Sequence, residues 1–131
     1  MLVHLLTPEK RLYSGEAVMV LLRSGDGDIA FLANHSPFIG TLEIGVVKIE
    51  RAEESTILAS VHGGFVKVAK NEVYVLASVA ELAGDIDVER AKIALAAATQ
   101  AFDSSGDPNQ ELAMSRAKVR IEVASVSSSV A

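Results

Sequence analysis

The first two thirds of the chain consist of short apolar segments separated by residues that favour turns. Some segments alternate apolar and polar positions with a period of two, which is typical of a strand with one buried face, and others are apolar at every position, as strands covered on both faces are. The predicted strands occupy residues 3–6, 17–22, 29–32, 46–50, 56–61, 65–69 and 73–79. Seven or more short strands with turn signals between them predict a sandwich or a barrel of strands.

The pattern changes near Gly84. Residues 1–83 contain seven of the nine glycines, two of the three prolines and nine alanines, whereas residues 84–131 contain ten alanines in a shorter stretch. Alanine is the strongest helix former, and glycine and proline are the strongest local interruptions of regular structure. We therefore predict an α+β, mainly β fold, with a β domain at 1–83 and a helical domain at 84–131, so that strands and helices are segregated.

Two helices are predicted after the break. The first has Asp85 as its N-cap, with acidic residues in its first turn, and runs to about Phe102. A polar turn at 103–107 follows, and Asp107-Pro108 provides a second start signal because proline suits the first helical position. The short connection predicts an antiparallel hairpin. Its alanine-rich faces bury little area, so it must dock on the β domain or on a partner.

The second helix carries a narrow apolar stripe on one face. The stripe consists of Leu112, Val119, Val123 and Val126.

Composition excludes several kinds of chemistry. The chain has 131 residues, a formal net charge of −5 and no cysteine. The lack of cysteine excludes disulfides, thiolate metal sites and cysteine nucleophiles, and the acidic balance disfavours nucleic-acid binding. No apolar run approaches the ~20 residues of a membrane span, and the apolar start lacks the basic region of a signal peptide. We expect a soluble protein of a cytoplasm-like compartment, without a targeting segment.

Candidate catalytic residues are few. His4, His35 and His62 lie far apart without metal-ligand spacing, and we expect each to be either hydrogen-bonded or exposed. No nucleophile elbow of the Gly-x-Ser-x-Gly type is present, so an enzymatic function is weakly supported. Residues 24–28 have too few ligands for a calcium loop and predict a tight turn. Residues 62–64 predict a strand connection or a bulge.

Three arginines could form a binding site if the hairpin closes. Arg116 and Arg120 are four residues apart and share a helix face, and Arg90 lies near the start of the other helix. Guanidinium groups that converge suit carboxylates or phosphates. The alternative is local ion pairing, with Arg90 bound to Asp87 and Arg120 near Glu122 or in solvent. Spacing alone favours the alternative.

Seven short stretches occur in an order and with gaps that form a recognisable pattern. They are Leu6-Thr7-Pro8-Glu9, Tyr13-Ser14-Gly15-Glu16-Ala17, Asp26-Gly27-Asp28-Ile29, His35-Ser36-Pro37-Phe38 with Leu42 and Gly45, Gly63-Gly64-Phe65, Ala80-Glu81, and Ile86-Asp87-Val88-Glu89-Arg90-Ala91. Over essentially its whole length, the chain resembles the epsilon subunits of F-type rotary ATP synthases. It departs from the family at Ala30, where glycine is usual, and at Ala33, near a frequent proline.

The resemblance implies a β-sandwich of about ten strands followed by an antiparallel two-helix hairpin. It also implies a non-catalytic rotor subunit in the central stalk of a bacterial proton-translocating enzyme, peripheral on the cytoplasmic face of the plasma membrane. The sandwich would bind the gamma subunit and the c-subunit ring, and so transmit torque. Asp28 and His35 match the family residues that face the polar loops of the c ring.

The resemblance further implies regulation by the hairpin. In the family the hairpin either lies folded on the sandwich or extends along gamma into the alpha/beta hexamer, where it hinders ATP hydrolysis. No cofactor is required, but ATP is a regulatory ligand of some bacterial members and favours the folded hairpin. The matching nucleotide-site residues are Glu81, Ile86, Asp87, Arg90, Ala91, Arg116 and Arg120. Adenine would pack near Ile86 and Ala91, Asp87 or Glu81 would accept from its amino group, and the arginines would hold the phosphates.

Two other classes of function stay open at this stage. A stand-alone β-sandwich module that binds a small ligand predicts a pocket within the sandwich and a protein that works alone. A hydrolase predicts turnover by the pure chain. Co-purification with a gamma subunit separates the stalk function from both.

Overall fold

The computed structural model describes residues 1–25 and 27–130, the last five of them as backbone only. Within this part of the chain, eight strands precede a 3₁₀ turn and two helices. The strands are β1 (Leu2–Leu6), β2 (Arg11–Glu16), β3 (Met19–Ser24), β4 (Gly27–Leu32), β5 (Phe38–Glu50), β6 (Ile57–Ala69), β7 (Glu72–Ala77) and β8 (Ala80–Leu82), and the turn (Ala83–Asp85) leads to α1 (Val88–Ser105) and α2 (Pro108–Val130). This order confirms the predicted mainly β fold with segregated helices. No helix in the described part of the chain has both the length and the apolar character needed to cross a bilayer.

Two long strands join the layers of the sandwich. The 13-residue strands β5 and β6 pair antiparallel from Phe38 opposite Val68 to Ile49 opposite Ile57. From Gly64 onward β6 pairs with β7, whereas its earlier half pairs with β8. The strand order is β2-β1-β7-β6-β5-β3-β4, with β8 attached to β6. Because β5 and β6 belong to both layers, the described residues form eight strands and not the expected ten or so.

Gly63 and Gly64 let β6 bend between the two layers. Their φ angles are +89° and +132°, which side chains rarely adopt. A Cβ atom on Gly64 would lie 2.1 Å from the carbonyl oxygen of Leu76, so only glycine fits against β7. The two strands predicted at 56–61 and 65–69 are therefore one strand, and the predicted connection or bulge is a bend within it.

Other differences from the predicted strands arise where burial is low. Strand β2 was not predicted, because it lies at the end of the sheet order and its residues are exposed or half-buried. The first half of β5 was also missed, since several of its side chains remain in solvent. The predicted strand at 73–79 ends at Ala77. The turn predicted at 24–28 lies between β3 and β4, where Asp26 falls outside the described residues.

The sandwich core is built from small and medium aliphatic side chains. Strand β1 shows the pattern, since Val3 and Leu5 are fully buried and the residues between them are only half-buried. Phe31 is the largest fully buried side chain. At about 1.5–3 kcal/mol for each buried Val, Leu, Ile or Phe side chain, this core is the main source of stability.

The helices begin and end at residues that cap them. Asp87 is the N-cap of α1, since its Oδ1 accepts a hydrogen bond from the Arg90 amide at 3.1 Å. The predicted cap, Asp85, was wrong because that residue ends the 3₁₀ turn. Helix α1 continues past the predicted end and stops at Gly106, which has a φ of +64°. The predicted start of α2 is confirmed, because Asp107 Oδ1 accepts from the Asn109 amide at 2.9 Å.

The hairpin docks on the outer face of β5 and β6 through α2. A small apolar cluster holds it there. Its buried members are Ile86, Val123 and Ala124, with Val46, Leu58, Ala83, Val88 and Val119 packed around them. The predicted stripe is thus confirmed at Val119 and Val123, but Leu112 is exposed and the side chain of Val126 lies outside the described residues. Between the helices, alanines 91, 98 and 117 are buried, which allows a close approach.

Candidate functional site

A polar cleft of about 490 Å³ lies where the sandwich meets both helices. Strand β8, the 3₁₀ turn, the first turns of α1 and the middle of α2 form its walls. Its lining residues are Glu81, Asp85, Asp87, Arg90, Ala91, Ala94 and Arg120. The cleft therefore contains five of the seven residues predicted for a nucleotide site, namely Glu81, Asp87, Arg90, Ala91 and Arg120.

Backbone pairing and capping fix the positions of these side chains. Glu81 lies on β8 opposite Ser60 of β6, which anchors it to the sandwich. Asp87 is held by the amide of Arg90 at the start of α1. Ile86 precedes this cap and is buried in the small cluster under α2. It thus sets the position of the Asp87–Arg90 turn from below and does not line the cleft.

One ion pair crosses the cleft. Arg120 Nε donates to Glu81 Oε1 at 2.6 Å, and both side chains are about 30% exposed, at 27% and 31%. This contact joins the sandwich directly to α2. Because the pair is partly solvated, its contribution to docking is about 1 kcal/mol. The expected alternative, a side-chain pair of Arg90 with Asp87, is not formed in the described structure, since Asp87 accepts from the backbone amide of Arg90 instead.

The formal charge of the lining is negative. Three carboxylates face two guanidiniums, so the cleft does not form a strongly basic cradle. Arg116, the remaining predicted arginine, lies one helical turn before Arg120 and is not among the lining residues. Its charge acts instead on His62, behind the cleft. The structure therefore brings two of the three arginines to the cleft, and places the third nearby.

His62 contradicts the expectation that each histidine is either hydrogen-bonded or exposed. It is 9% exposed, and neither ring nitrogen has a hydrogen-bond partner among the described residues. Burial, followed by the charge of Arg120, lowers the pKa of His62 from 6.5 to about 4. The ring is therefore neutral at pH 7. His4 and His35 follow the expectation, since His4 Nδ1 lies 2.7 Å from Ser14 Oγ and His35 Nδ1 lies 2.7 Å from the Ser36 carbonyl oxygen.

A second polar group lies on the face of β2, β1 and β7. His4 Nε2 is 3.4 Å from Glu72 Oε2, and Tyr74 donates to the same oxygen at 2.5 Å. This hydrogen bond lowers the pKa of Glu72 and raises the pKa of Tyr74. The chain of contacts from Ser14 through His4 to Glu72 resembles a hydrolase triad. However, the Ser14 contact lies on an exposed sheet surface, and none of these residues lines the cleft. We interpret the group as cross-strand stabilisation.

The residues predicted to contact a c ring lie along the edge strand β4. Asp28, near its beginning, is ion-paired with Arg23 at 3.1 Å and is exposed. His35, beyond its end, packs edge-on against Phe31 with ring centroids 4.9 Å apart. The strand between them spans about 13 Å from residue 28 to residue 32. A partner that touches both residues must therefore run along this edge.

The sequence did not point to the apolar surface on the other side of the sheet. Leu6 pairs with Leu76 across β1 and β7, and Leu76 pairs with Phe65 across β7 and β6. Phe65 is 61% exposed, and Ile39 on neighbouring β5 is 77% exposed. We call these four residues the apolar row. A shallow cavity of about 330 Å³ lies over part of it. Large exposed apolar groups on adjacent strands indicate a surface that another protein covers.

Comparisons with known proteins agree with this architecture. The family model described as the β-sandwich domain of the ATP synthase delta/epsilon chain matches residues 1–83. An ATP synthase epsilon chain from Streptomyces griseus is 40% identical over 124 residues, which cover 95% of this chain and 94% of the relative. The corresponding protein of Rhodococcus opacus is 42% identical over 92% of this chain and 93% of the relative.

The chain belongs to the ATP synthase epsilon-chain family. This confirms the resemblance seen in the sequence motifs, and with it the expectation of a non-catalytic subunit. Among solved structures, a chain of the Euglena gracilis mitochondrial ATP synthase superposes with a TM-score of 0.70 at 20% identity, covering 98% of this chain and 80% of that one. A chain of the Tetrahymena thermophila central stalk and c ring gives 0.59 at 14% identity, covering 96% and 94%. At these identities the superpositions show the shared fold.

Proposed function

We propose that this epsilon chain is a central-stalk subunit of a bacterial F-type ATP synthase, and that it couples the c ring to gamma on the cytoplasmic side of the membrane. The observation that carries the proposal is the apolar row on the sandwich. Leu76, Phe65 and Ile39 are exposed on neighbouring strands, and Leu6 beside Leu76 is half-buried. A protein working alone would not need such an apolar surface. We assign this surface to gamma, and the β4 edge with Asp28 and His35 to the c ring.

Co-expression with gamma tests this assignment. Ile39→Asp places a charge within the proposed interface, so we expect at least about tenfold less gamma to co-purify, equivalent to 1.4 kcal/mol of binding. Ile93→Asp is a matched control, because Ile93 is exposed to a similar extent, at 70%, but lies on the hairpin. Equal retention of gamma by both variants would overturn the assignment.

We further propose that the docked hairpin is the state in which ATP hydrolysis is not inhibited, and that ATP stabilises it from the cleft. The cleft volume lies in the range of small-ligand sites. Arg90 and Arg120 line the cleft and would bind the phosphates, and the methyl groups of Ala91 and Ala94 would form an apolar wall for adenine. Since Glu81 already holds Arg120, the phosphates of ATP must compete with this carboxylate. We therefore expect weak binding, in which Arg116 contributes mainly through its charge.

Calorimetry of the isolated chain with ATP tests the second proposal. We expect a binding signal at millimolar ATP that Arg90→Ala weakens about tenfold, as the loss of one charge-assisted contact predicts. Lys92→Ala is the matched control, because Lys92 lies two residues further on α1 and pairs with Glu89 outside the cleft. No signal with the unaltered chain would exclude ATP sensing and leave the stalk role intact. An unchanged signal in Arg90→Ala would exclude the cleft as the site.

A further inference from the structure

The surface of β6 that α2 covers contains polar groups without hydrogen bonds. Leu58, Ser60 and His62 alternate with core residues of the sandwich and so face the hairpin. Ser60 is fully buried, and His62 nearly so. Neither the Ser60 hydroxyl nor the His62 ring has a hydrogen-bond partner within the described residues. Unsatisfied buried polar groups are costly, so this interface is less stable than an apolar one of the same size.

Charged groups approach His62 from two elements. Arg116 and Arg120 act on it from α2, and Glu81 acts on it from β8. On β5 the residue opposite His62 is the uncharged Ile44. The backbone of His62 is fixed, because its amide donates to the Val79 carbonyl at 2.9 Å. In the docked structure the ring is buried beneath α2, and undocking of α2 would remove both arginines and much of the burial.

A proton on the docked ring would add a third positive charge beside two arginines. Glu81 is the one carboxylate that acts favourably on His62 here, and it is already paired with Arg120. Burial and the arginines accordingly lower the pKa of the docked ring to about 4, against 6.5 for an exposed imidazole. The docked interface therefore favours the neutral ring, and a charged ring weakens docking.

We propose that His62 makes the docking of the hairpin depend on pH, so that protons release α2 from the sandwich. Docking is fully favourable above the pKa of the free ring and is progressively lost as the pH falls from about 6.5 towards 4. Between pH 7 and pH 5 the docking constant is expected to fall about twentyfold. Any effect on ATP hydrolysis rests on the proposed inhibitory role of the hairpin, but the docking equilibrium of the isolated chain does not.

Nuclear magnetic resonance of the full chain between pH 8 and pH 4.5 measures both the protonation of the His62 ring and the docking of α2. We expect the His62 ring to remain neutral below pH 5.5 in docked molecules, while the amide signals of α2 around Val123 move towards undocked positions. Amides of the sandwich core, such as Val3 and Val73, are expected to stay in place. If the native amide signals of α2 and of the sandwich core disappear together, the whole molecule unfolds in acid, and the proposal is overturned.

Two substitutions separate His62 from other titrating groups. His62→Gln and His62→Met cannot gain a proton, so either variant that docks at pH 7 is expected to stay docked at pH 5. His4→Gln is the control and is expected to keep the pH response, because His4 lies on β1 with partners of its own. A His62 ring that titrates near pH 6.5 with α2 still docked would refute the mechanism, as would an unchanged response in both His62 variants. Because no nucleotide or gamma is present, these results do not depend on the proposed function.

Discussion

Inside the sandwich, seventeen apolar side chains form one buried cluster, whereas three are buried where the hairpin meets β5 and β6. The larger cluster contains Phe31 and many valines and leucines, and the smaller one has only Ile86 and Val123 as sizeable members. At about 1.5–3 kcal/mol per large side chain, the smaller cluster supplies only a few kcal/mol. We therefore expect the sandwich to stay folded when the hairpin changes its contacts.

The two interfaces also differ in polarity. The sandwich interior is almost wholly apolar, but the hairpin interface includes the ring of His62, the hydroxyl of Ser60 and the ion pair between Glu81 and Arg120. Polar contacts respond to protons, salt and charged ligands, whereas apolar burial responds little to them. We therefore expect solution conditions to affect the docking of the hairpin more than the packing of the sandwich.

The largest effect on the sandwich is expected from a substitution at the bend in β6. Gly64→Ala is expected to cost several kcal/mol of the free energy of unfolding, because the new Cβ atom meets the Leu76 carbonyl at 2.1 Å and φ is +132°. Gly84→Ala is the control, since a Cβ atom there has open space, and a change within about 0.5 kcal/mol is expected. Urea unfolding of both variants measures the difference. Equal stabilities would show that the bend does not need glycine.

The next largest effect should separate the two regions. Val123→Asp places a carboxylate at a position that is 1% exposed, in the small cluster, and we expect it to undock α2 at a cost of about 3 kcal/mol or more. Amide hydrogen exchange should then be fast throughout α2 and remain slow in β1 and β7. Val75→Asp is the matched variant in the larger core and should unfold the whole chain. If Val123→Asp also unfolds the sandwich, the two regions are one cooperative unit.

The sequence predicted the strands and helix starts that a local pattern specifies, and it missed the features that depend on contacts between distant parts of the chain. The alternating valines Val66 and Val68 identify the end of β6, and the cap at Asp107 identifies the start of α2, because the causes lie within a few residues. The Gly63-Gly64 pair suggested a break, since a sequence does not show that a strand continues past a bend. The division at 83 and 84 stays a prediction, because the hairpin is docked on the sandwich in this structure.

The site was predicted in the same uneven way. The family motif identified Glu81, Asp87, Arg90 and Ala91, which share the cleft because they are close in sequence on either side of the start of α1. Arg120 of α2 lines the same cleft, whereas Arg116 does not. The sequence could not show this difference, because it depends on how α2 lies on β6. The burial of His62 was missed for the same reason. The available signal was the apolar Leu58, which lies on the same face of β6 as Ser60 and His62 and indicates that this face is covered.

The smallest expected effect concerns the contact between the regions. Glu81→Gln removes the charge that pairs with Arg120, and should weaken docking by about 1 kcal/mol because the pair is partly solvated. The same change frees Arg120 for phosphate and leaves an amide oxygen for the adenine amino group, so ATP should bind several-fold more tightly. The substitution thus separates two roles of one carboxylate.

Hydrogen exchange of α2 without ligand and calorimetry with ATP measure these opposite effects. Glu54→Gln is a suitable control, because Glu54 pairs with Arg51 in an exposed loop away from the hairpin. Weaker docking together with weaker ATP binding would mean that Glu81 contacts the nucleotide through its charge. Stronger docking would mean that the carboxylate costs more in desolvation than its pair with Arg120 returns, and that the apolar cluster around Ile86 and Val123 holds the hairpin.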